Sequence, residues 1–443
     1  MKHTVHALLF SLLFFTACSR EKKDEATLFQ NVTLIDGTGM PEKGGVDVLV
    51  RADTIADIRR HADSVDVEAT CMDMTGKFMM PLMINGHCHV GMLKGNSTNE
   101  AHFTPKNIRR HLLKYLHYGI GEVVSLGTDR PAVLPLLDSS RKGILPGAKL
   151  YSALYGIGIQ GSGPAQQLVK NAEEARTAVQ KLVRLKPDFV KIWVDDFGGS
   201  SPKMSPEIYS AVIDEAHKHK LRVAAHVYYL ADARSLVEKG IDVLAHSIRD
   251  TDVDADMLAK MKAKNVAYMP TLSLDEYNFI YLRQPEWMND PFFLTSLEPG
   301  VLDSLKSPGY LNAIKNDPKL EQKIAAFKTA QRNLKKIYDA GILVVMGTDS
   351  GAFPVRAQGF SEHLELELMR DAGLTPAQVI SIATQNGARH LKIMGETGTL
   401  QEGKRADFMI LAKDPMWDVK NTRTIESVWQ HGKKVSGAVT ENE

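Results

Sequence analysis

Pro81-Leu82-Met83-Ile84-Asn85-Gly86-His87-Cys88-His89-Val90 is closed by Gly91 and continues an apolar run that begins at Phe78. The run reads as a buried strand ending in a pair of histidines. On an extended backbone, side chains alternate faces, so His87 and His89 point the same way and Cys88 points away. Two imidazoles side by side at a strand end form a two-nitrogen grip for a transition metal. A His-x-His taken alone is equally well a pair of polar loop residues. The choice between these turns on whether further ligands stand at the C-terminal ends of later strands.

Outward from this stretch the chain alternates strand and helix. Helical patterns at 105–118, 132–141 and 172–185 separate apolar strands at 121–126, 149–154 and 188–194. Ser205-Pro206 opens the next helix with a cap residue and a proline at the first helical position. Strands follow at 221–225, 241–245, 266–272 and 342–346, and Thr375-Pro376-Ala377-Gln378 begins a last helix with a capping-box pattern. Counting the strand that leads to His87, eight strand-helix pairs predict a TIM (β/α)8 barrel over 78–394, with its chemistry at the C-terminal strand ends.

Short strands also occur at 28–35, 46–50 and 54–58, and again at 407–411, 427–430 and 433–435. Neither end is apolar enough for its own core. One small composite β domain built from 26–77 and 395–435, with the barrel inserted between, is the economical prediction. Residues 273–322 break the rhythm with an insertion rich in proline and aromatic residues (Tyr277, Phe279, Tyr281, Trp287, Phe292, Phe293, Tyr310). An insertion this long at the catalytic face predicts either an aromatic cover over the site or an assembly surface.

The chain has 443 residues, 44% hydrophobic and 24% charged, with a formal charge of +1, which points to no nucleic acid or anionic membrane partner. The N-terminus is set apart from the fold. Lys2 precedes an apolar run at 7–15, too short to span a bilayer, and Phe15-Thr16-Ala17-Cys18 resembles the lipobox of bacterial lipoproteins. This predicts a signal peptide over 1–17, a lipid anchor on Cys18, a tether over 18–25 and residence at the cell envelope. A plain secretory cut after Ala17 is the alternative. Cys71 and Cys88 then remain, one in each predicted unit, so no disulfide is expected.

The strand ends supply the missing ligands. Lys191 stands on the fourth strand, His226 follows the fifth in Ala-Ala-His-Val-Tyr228, His246 follows the sixth, and Asp349 follows the eighth in Gly-Thr-Asp-Ser. Each has an ordinary explanation alone: a lysine whose head reaches solvent, core histidines, a turn aspartate. Six such residues on the correct ends of five barrel strands point instead to one functional site with metal-ligand character.

Gly-His-Cys-His, the two Ala-His pairs, Gly-Thr-Asp-Ser and the tail Gly398-Thr-Leu-Gln-Glu-Gly403-Lys-Arg-Ala-Asp407 together resemble the amidohydrolase superfamily over nearly the whole chain from Ala26 to Val435. Asp-Phe-Val-Lys191-Ile and Ala-His226-Val-Tyr228 resemble its metal-dependent prolidase-like and imidazolonepropionase-like branch. The resemblance implies two divalent metal ions, one held by His87, His89 and Asp349 and the other by His226 and His246. It further implies a carbamate on Lys191 bridging them. Imidazole and oxygen donors suit zinc. Such ions lower the pKa of a bridging water and polarise a substrate carbonyl, while Asp349 takes the proton and hands it to the leaving nitrogen.

The predicted substrate is a small molecule or short peptide, an N-acyl amino acid or dipeptide cleaved at its amide. A mononuclear hydrolase or deaminase of a cyclic amide or imidazolone is the alternative. A lipoprotein that uses the barrel only to bind a ligand is a further one. Tyr228, two residues past His226, is a substrate contact or a rim packing residue; His363 and Arg356 are weaker contacts expected in solvated loops. Self-association into a homo-oligomer is compatible with the sequence.

Overall fold

A computed structural model describes residues 26–62, 67–165 and 167–435, so the signal peptide and tether expected over 1–25 lie outside the described residues. Its sheets place strands from both chain ends side by side. Lys433–Lys434, Ile425–Gln430, Phe408–Leu411, Phe78–Pro81, Ala26–Leu34, Lys43–Arg51 and Thr54–Arg60 are neighbours in that order, and Thr70–Asp73 also pairs with Ala26–Leu34. The central strands are buried on both faces, Met80, Met409 and Leu411 joining the barrel's core and Met79, Phe408 and Ile410 a core of the sheet's own. The Phe29 ring meets Phe408 edge-on at 5.1 Å and Trp429 at 4.9 Å, so aromatic residues from both ends share one apolar cluster with Val32, Val48 and Met79.

The barrel follows from strands buried on both faces, which read as continuous apolar runs. Met83–Cys88, Ile120–Ser125 and Lys149–Ser152 pair in parallel. The Asp188 amide donates to the Ser152 carbonyl at 2.8 Å and links the third strand to the fourth, Phe189–Trp193. Arg222–His226, Val243–Ala245 and Ala267–Met269 continue the parallel ladder. Val344 bridges Tyr268 and Ser350 bridges Cys88, closing the ring back onto the first strand. The chain thus forms a (β/α)8 barrel beside a small β sheet.

Two sequence boundaries shift. The apolar run 78–84, expected as one strand, divides at Leu82. Phe78–Pro81 pairs with Ala26–Leu34 and Phe408–Leu411 in the terminal sheet, and Met83–Cys88 begins the barrel. Pro81 has no amide hydrogen to continue a ladder, the Leu82 amide donates to Asp407 and the Met83 amide to Gly119, so the hydrogen-bond partner changes there. The eighth strand, expected over 342–346, makes only isolated bridges. Its contact with the first strand passes through Gly347, where an added Cβ would lie 2.6 Å from Met269 Cγ and 2.9 Å from His87 Cβ.

The insertion is not a structureless loop. Leu272–Glu276, Ile280–Arg283, Glu286–Asn289, Pro291–Leu294, Val301–Lys306 and Pro308–Lys315 form short helical turns before the long helix Leu320–Asp339. Its aromatics turn inward, which corrects the expectation of an aromatic cover. Tyr277, Phe279, Tyr281 and Phe293 are buried, Phe279 packs on Phe327 at 5.6 Å, and Trp287 and Phe293 pack on Phe360 at 4.7 and 4.8 Å. Burying large rings dominates the seating of such a segment. Buried Glu298 pins the insertion's far side, accepting from Lys114 Nζ and Arg110 Nη1, each at 2.7 Å.

Candidate metal centre

A cavity of about 690 Å³ opens at the C-terminal ends of the barrel strands, and His87, His89, Lys191, His226, Tyr228, His246, Asp349 and Arg356 all line it. Strand geometry brings them there. His87 and Asp349 are joined through the backbone, where the Asp349 amide donates to the His87 carbonyl at 2.8 Å. Asp349 Oδ1 lies 3.2 Å from His87 Nε2 and 2.8 Å from His89 Nε2. The His246 ring lies 4.7 Å from His87 and 4.1 Å from His226, so the four imidazoles form one chain across the mouth. Donor atoms of His87, His246 and Asp349 all fall within 4.8 Å of one another.

The electrostatics suit a cation. Burial pushes the imidazoles down, His87 to about 3, His226 to about 4 and His246 well below its ordinary value, so these three are neutral with lone pairs free. Burial also pulls the Lys191 ammonium down to about 7, opposed by the Asp349 charge. Burial would push the Asp349 carboxyl up, but Arg356, His89 and His87 override it and hold it well below the usual carboxylate range. Two buried nitrogens, His87 Nδ1 and Lys191 Nζ, have no hydrogen-bond partner. Orphaned buried donors and acceptors are rare in native proteins. A cluster of neutral imidazoles, a carboxylate and an unpartnered amine is the donor set a divalent metal ion takes.

The supporting groups were not foreseen. His89 Nδ1 meets Thr128 Oγ1 at 2.6 Å, His246 Nδ1 meets Thr271 Oγ1 at 2.9 Å, and His226 Nε2 meets Asp195 Oδ2 at 3.0 Å. Each contact fixes a ring's orientation. Asp195 and Trp193 were within reach of sequence logic, since both follow Lys191 at steps of two along one strand face. Glu362 was not: it is fully buried and accepts from Asn85 Nδ2 at 2.6 Å, Thr348 Oγ1 at 2.8 Å and Ser350 Oγ at 2.7 Å. His246 and Asp349 adopt left-handed backbone, φ 71 and 58, and Thr271 φ 48. That conformation costs a non-glycine residue about 1–2 kcal/mol, a strain that clusters at functional sites.

Two expectations are corrected. Arg356 is not a solvated loop residue: its guanidinium hydrogen-bonds Asp349 Oδ2. His363 is buried in the helix Phe360–Asp371, bonded to Thr422 Oγ1 at 2.9 Å and the Tyr118 carbonyl at 3.0 Å, and does not line the cavity. Tyr228 does line it, with the Arg249 guanidinium 4.5 Å over its ring. The cavity's aromatic surface comes from Trp193, Phe197, Tyr228, Tyr229 and Phe353 rather than from the insertion, which contributes Leu274, Asp275, Asn278, Lys319 and Gln322.

Residues 78–435 match the Amidohydrolase family, and the chain belongs to that family. Members of this superfamily generally bind divalent metals, and the His87, His246 and Asp349 cluster is a candidate site for one. Ochratoxinase from Aspergillus niger is 26% identical over 299 residues, covering 64% of this chain and 54% of its own, so the chain spans about half the length of that curated relative. Among solved structures, a Xaa-Pro dipeptidase with methionine in its active site superposes with a TM-score of 0.75 at 20% identity, over 93% of this chain and 100% of the other. A molinate hydrolase gives a TM-score of 0.71 at 18% identity, over 95% and 98%. At those identities the likeness is one of fold.

Proposed function

We propose that this chain is a metal-dependent hydrolase of a peptide-like amide bond, with an N-acyl amino acid or short dipeptide as substrate. The observation that carries this is the convergence of six strand-end residues on one cavity, two of them bearing buried nitrogens without partners, in a chain of the amidohydrolase family. The name of the Xaa-Pro dipeptidase neighbour supports an amide substrate of this kind.

His87, His89 and Asp349 would hold one divalent ion, zinc by donor type, and His226 and His246 a second. Lys191, whose ammonium burial pulls down to about 7, would carry CO2 as a carbamate at Nζ with release of one proton, and that carbamate would be an anionic metal ligand. Bound metal supplies Lewis-acid activation of water and of the substrate carbonyl. The Asp349 carboxylate, kept ionised by Arg356, accepts the proton of the attacking water and delivers it to the departing nitrogen. Trp193, Phe197 and Phe353 receive an apolar group and keep bulk water away, and Tyr228 donates its hydroxyl to a substrate oxygen.

Metal analysis combined with a screen of N-acyl amino acids and dipeptides tests this. Two ions per chain with turnover supports it. Full activity with a single ion moves the assignment to a mononuclear cyclic-amide hydrolase or deaminase, and metal without turnover to a ligand-binding protein. The same proposal anchors the chain to the bacterial envelope through Cys18. Cys18→Ser should move the protein to the soluble periplasmic fraction, and unchanged membrane fractionation would refute the anchor.

A further inference from the structure

One charged group in the cavity is used by neither the metal-facing cluster nor the barrel scaffold. Asp275 lines the cavity yet is only 6% exposed. Its Oδ1 accepts from Arg249 Nε at 3.0 Å, while its buried Oδ2 has no partner. Arg249 has little freedom to supply one. Its Nη1 donates to the Ser247 carbonyl at 2.8 Å and the Val227 carbonyl at 3.3 Å, and its plane lies over the Tyr228 ring.

Asp275 itself is held in place. It sits on the short helix Leu272–Glu276, whose first two amides donate to the buried Glu365 carboxylate at 2.8 and 2.7 Å. Asn278, the neighbouring cavity residue on this segment, has its amide nitrogen engaged by the carbonyls of Leu274 and Asp275 at 3.3 and 2.9 Å. Its amide oxygen is therefore the atom left to contact a ligand. On its own segment Asp275 has acceptors beside it, while the guanidinium groups of Arg249 and Arg356 act on it from neighbouring elements. A desolvated carboxylate oxygen beside a second acceptor is complementary to a cationic donor, because charge-assisted hydrogen bonds are about twice as strong as neutral ones.

We propose that Asp275 is a specificity-determining counter-ion for a protonated amine on the substrate. Resting on the amide-hydrolase reading above, this means amides carrying a free ammonium group are favoured over their N-acylated counterparts.

The test uses the full metal-loaded protein and two probes that contain no amide, 2-phenylethylammonium and its neutral isostere 2-phenylethanol. Calorimetry should show the ammonium binding wild type roughly tenfold or more tightly than the alcohol, and Asp275→Asn should erase that preference. In kinetics, a dipeptide and its N-acetyl derivative should differ in KM by a similar factor with wild type, and the difference should collapse in Asp275→Asn. Equal binding of both probes to wild type, or binding of neither, overturns the proposal, and this comparison needs no variant to fold. A substitution that weakens both probes equally also overturns it, leaving Asp275 as a strut for Arg249. Failure to hydrolyse any amide sinks the hydrolase reading while the probe measurement still decides Asp275.

Discussion

The two halves of the candidate metal centre are built differently. On the side of the first and eighth strands, His87, His89 and Asp349 stand over a cross-brace: Glu362 ties Asn85 of one strand to Thr348 and Ser350 of the other, and Arg356 closes on Asp349. On the side of the fourth to sixth strands, Lys191 is buried with no hydrogen-bond partner at its amine. Trp193 lies beside it, and Gly127 is so close that an added Cβ would sit 2.6 Å from Lys191 Cγ. Each half keeps one buried nitrogen without a partner, His87 Nδ1 in the braced half and Lys191 Nζ in the open one, and only the first is held by a polar cross-brace.

Asp349→Asn attacks the braced half where it does chemistry. A general acid-base group contributes about 10²–10⁴-fold, so kcat should fall by that order with KM little changed. A fall below tenfold would show that the proton travels elsewhere. Lys191→Ala attacks the open half. It should cost one metal ion by elemental analysis and about a hundredfold or more in activity, with partial rescue by short carboxylic acids. Unchanged metal content would remove Lys191 from the ligand set and make the two halves alike.

Glu362→Gln should act on stability rather than chemistry. Either orientation of the new amide turns an N–H toward a donor that the carboxylate accepted. The expected loss is about 1–3 kcal/mol, a fall of a few degrees in Tm, with metal content retained. No change in Tm would show that the brace is dispensable.

A pH slope in metal-stripped protein reads the same amine without metal. Lys191 is pulled to about 7 in the fold against 10.5 when exposed, so between these values the unfolded chain holds a proton that the folded chain has released. Stability should therefore rise with pH across that window and level off below about 7, where both states hold the proton, and Lys191→Met should flatten the rise. A parent and variant with parallel profiles would mean that the amine is not desolvated.

The ligand candidates were legible because strand alternation and barrel polarity are local rules: His87 predicts His89, and each strand end predicts where to look. Asn85 and Glu362, 277 residues apart, obey no such rule, and neither do Arg249 and Asp275, whose pairing exists only once the barrel closes. The insertion was misjudged for a related reason. Aromatic residues announce that they will be buried, but not against which surface, and Phe327 and Phe360 were better hosts than the cavity. Arg356 was underrated because a turn residue seven positions past Asp349 reaches it only through the fold of that turn.

The handover at Leu82 bears on how such a chain comes into being. Phe78–Pro81 lies between Ala26–Leu34 and Phe408–Leu411, and the barrel strand Met83–Cys88, which carries His87 and leads into His89, starts just beyond it. Synthesis runs from the N-terminus, so the early strands emerge long before their late neighbour exists. Closing so long a loop is entropically costly and slow. During that interval Phe78–Pro81 has one unpaired edge, and the start of the histidine strand lacks half its clamp. A nascent chain stalled before Phe408 should be prone to mispairing at that edge and poor at retaining metal, which makes residues 408–435 a checkpoint on a cavity they do not line.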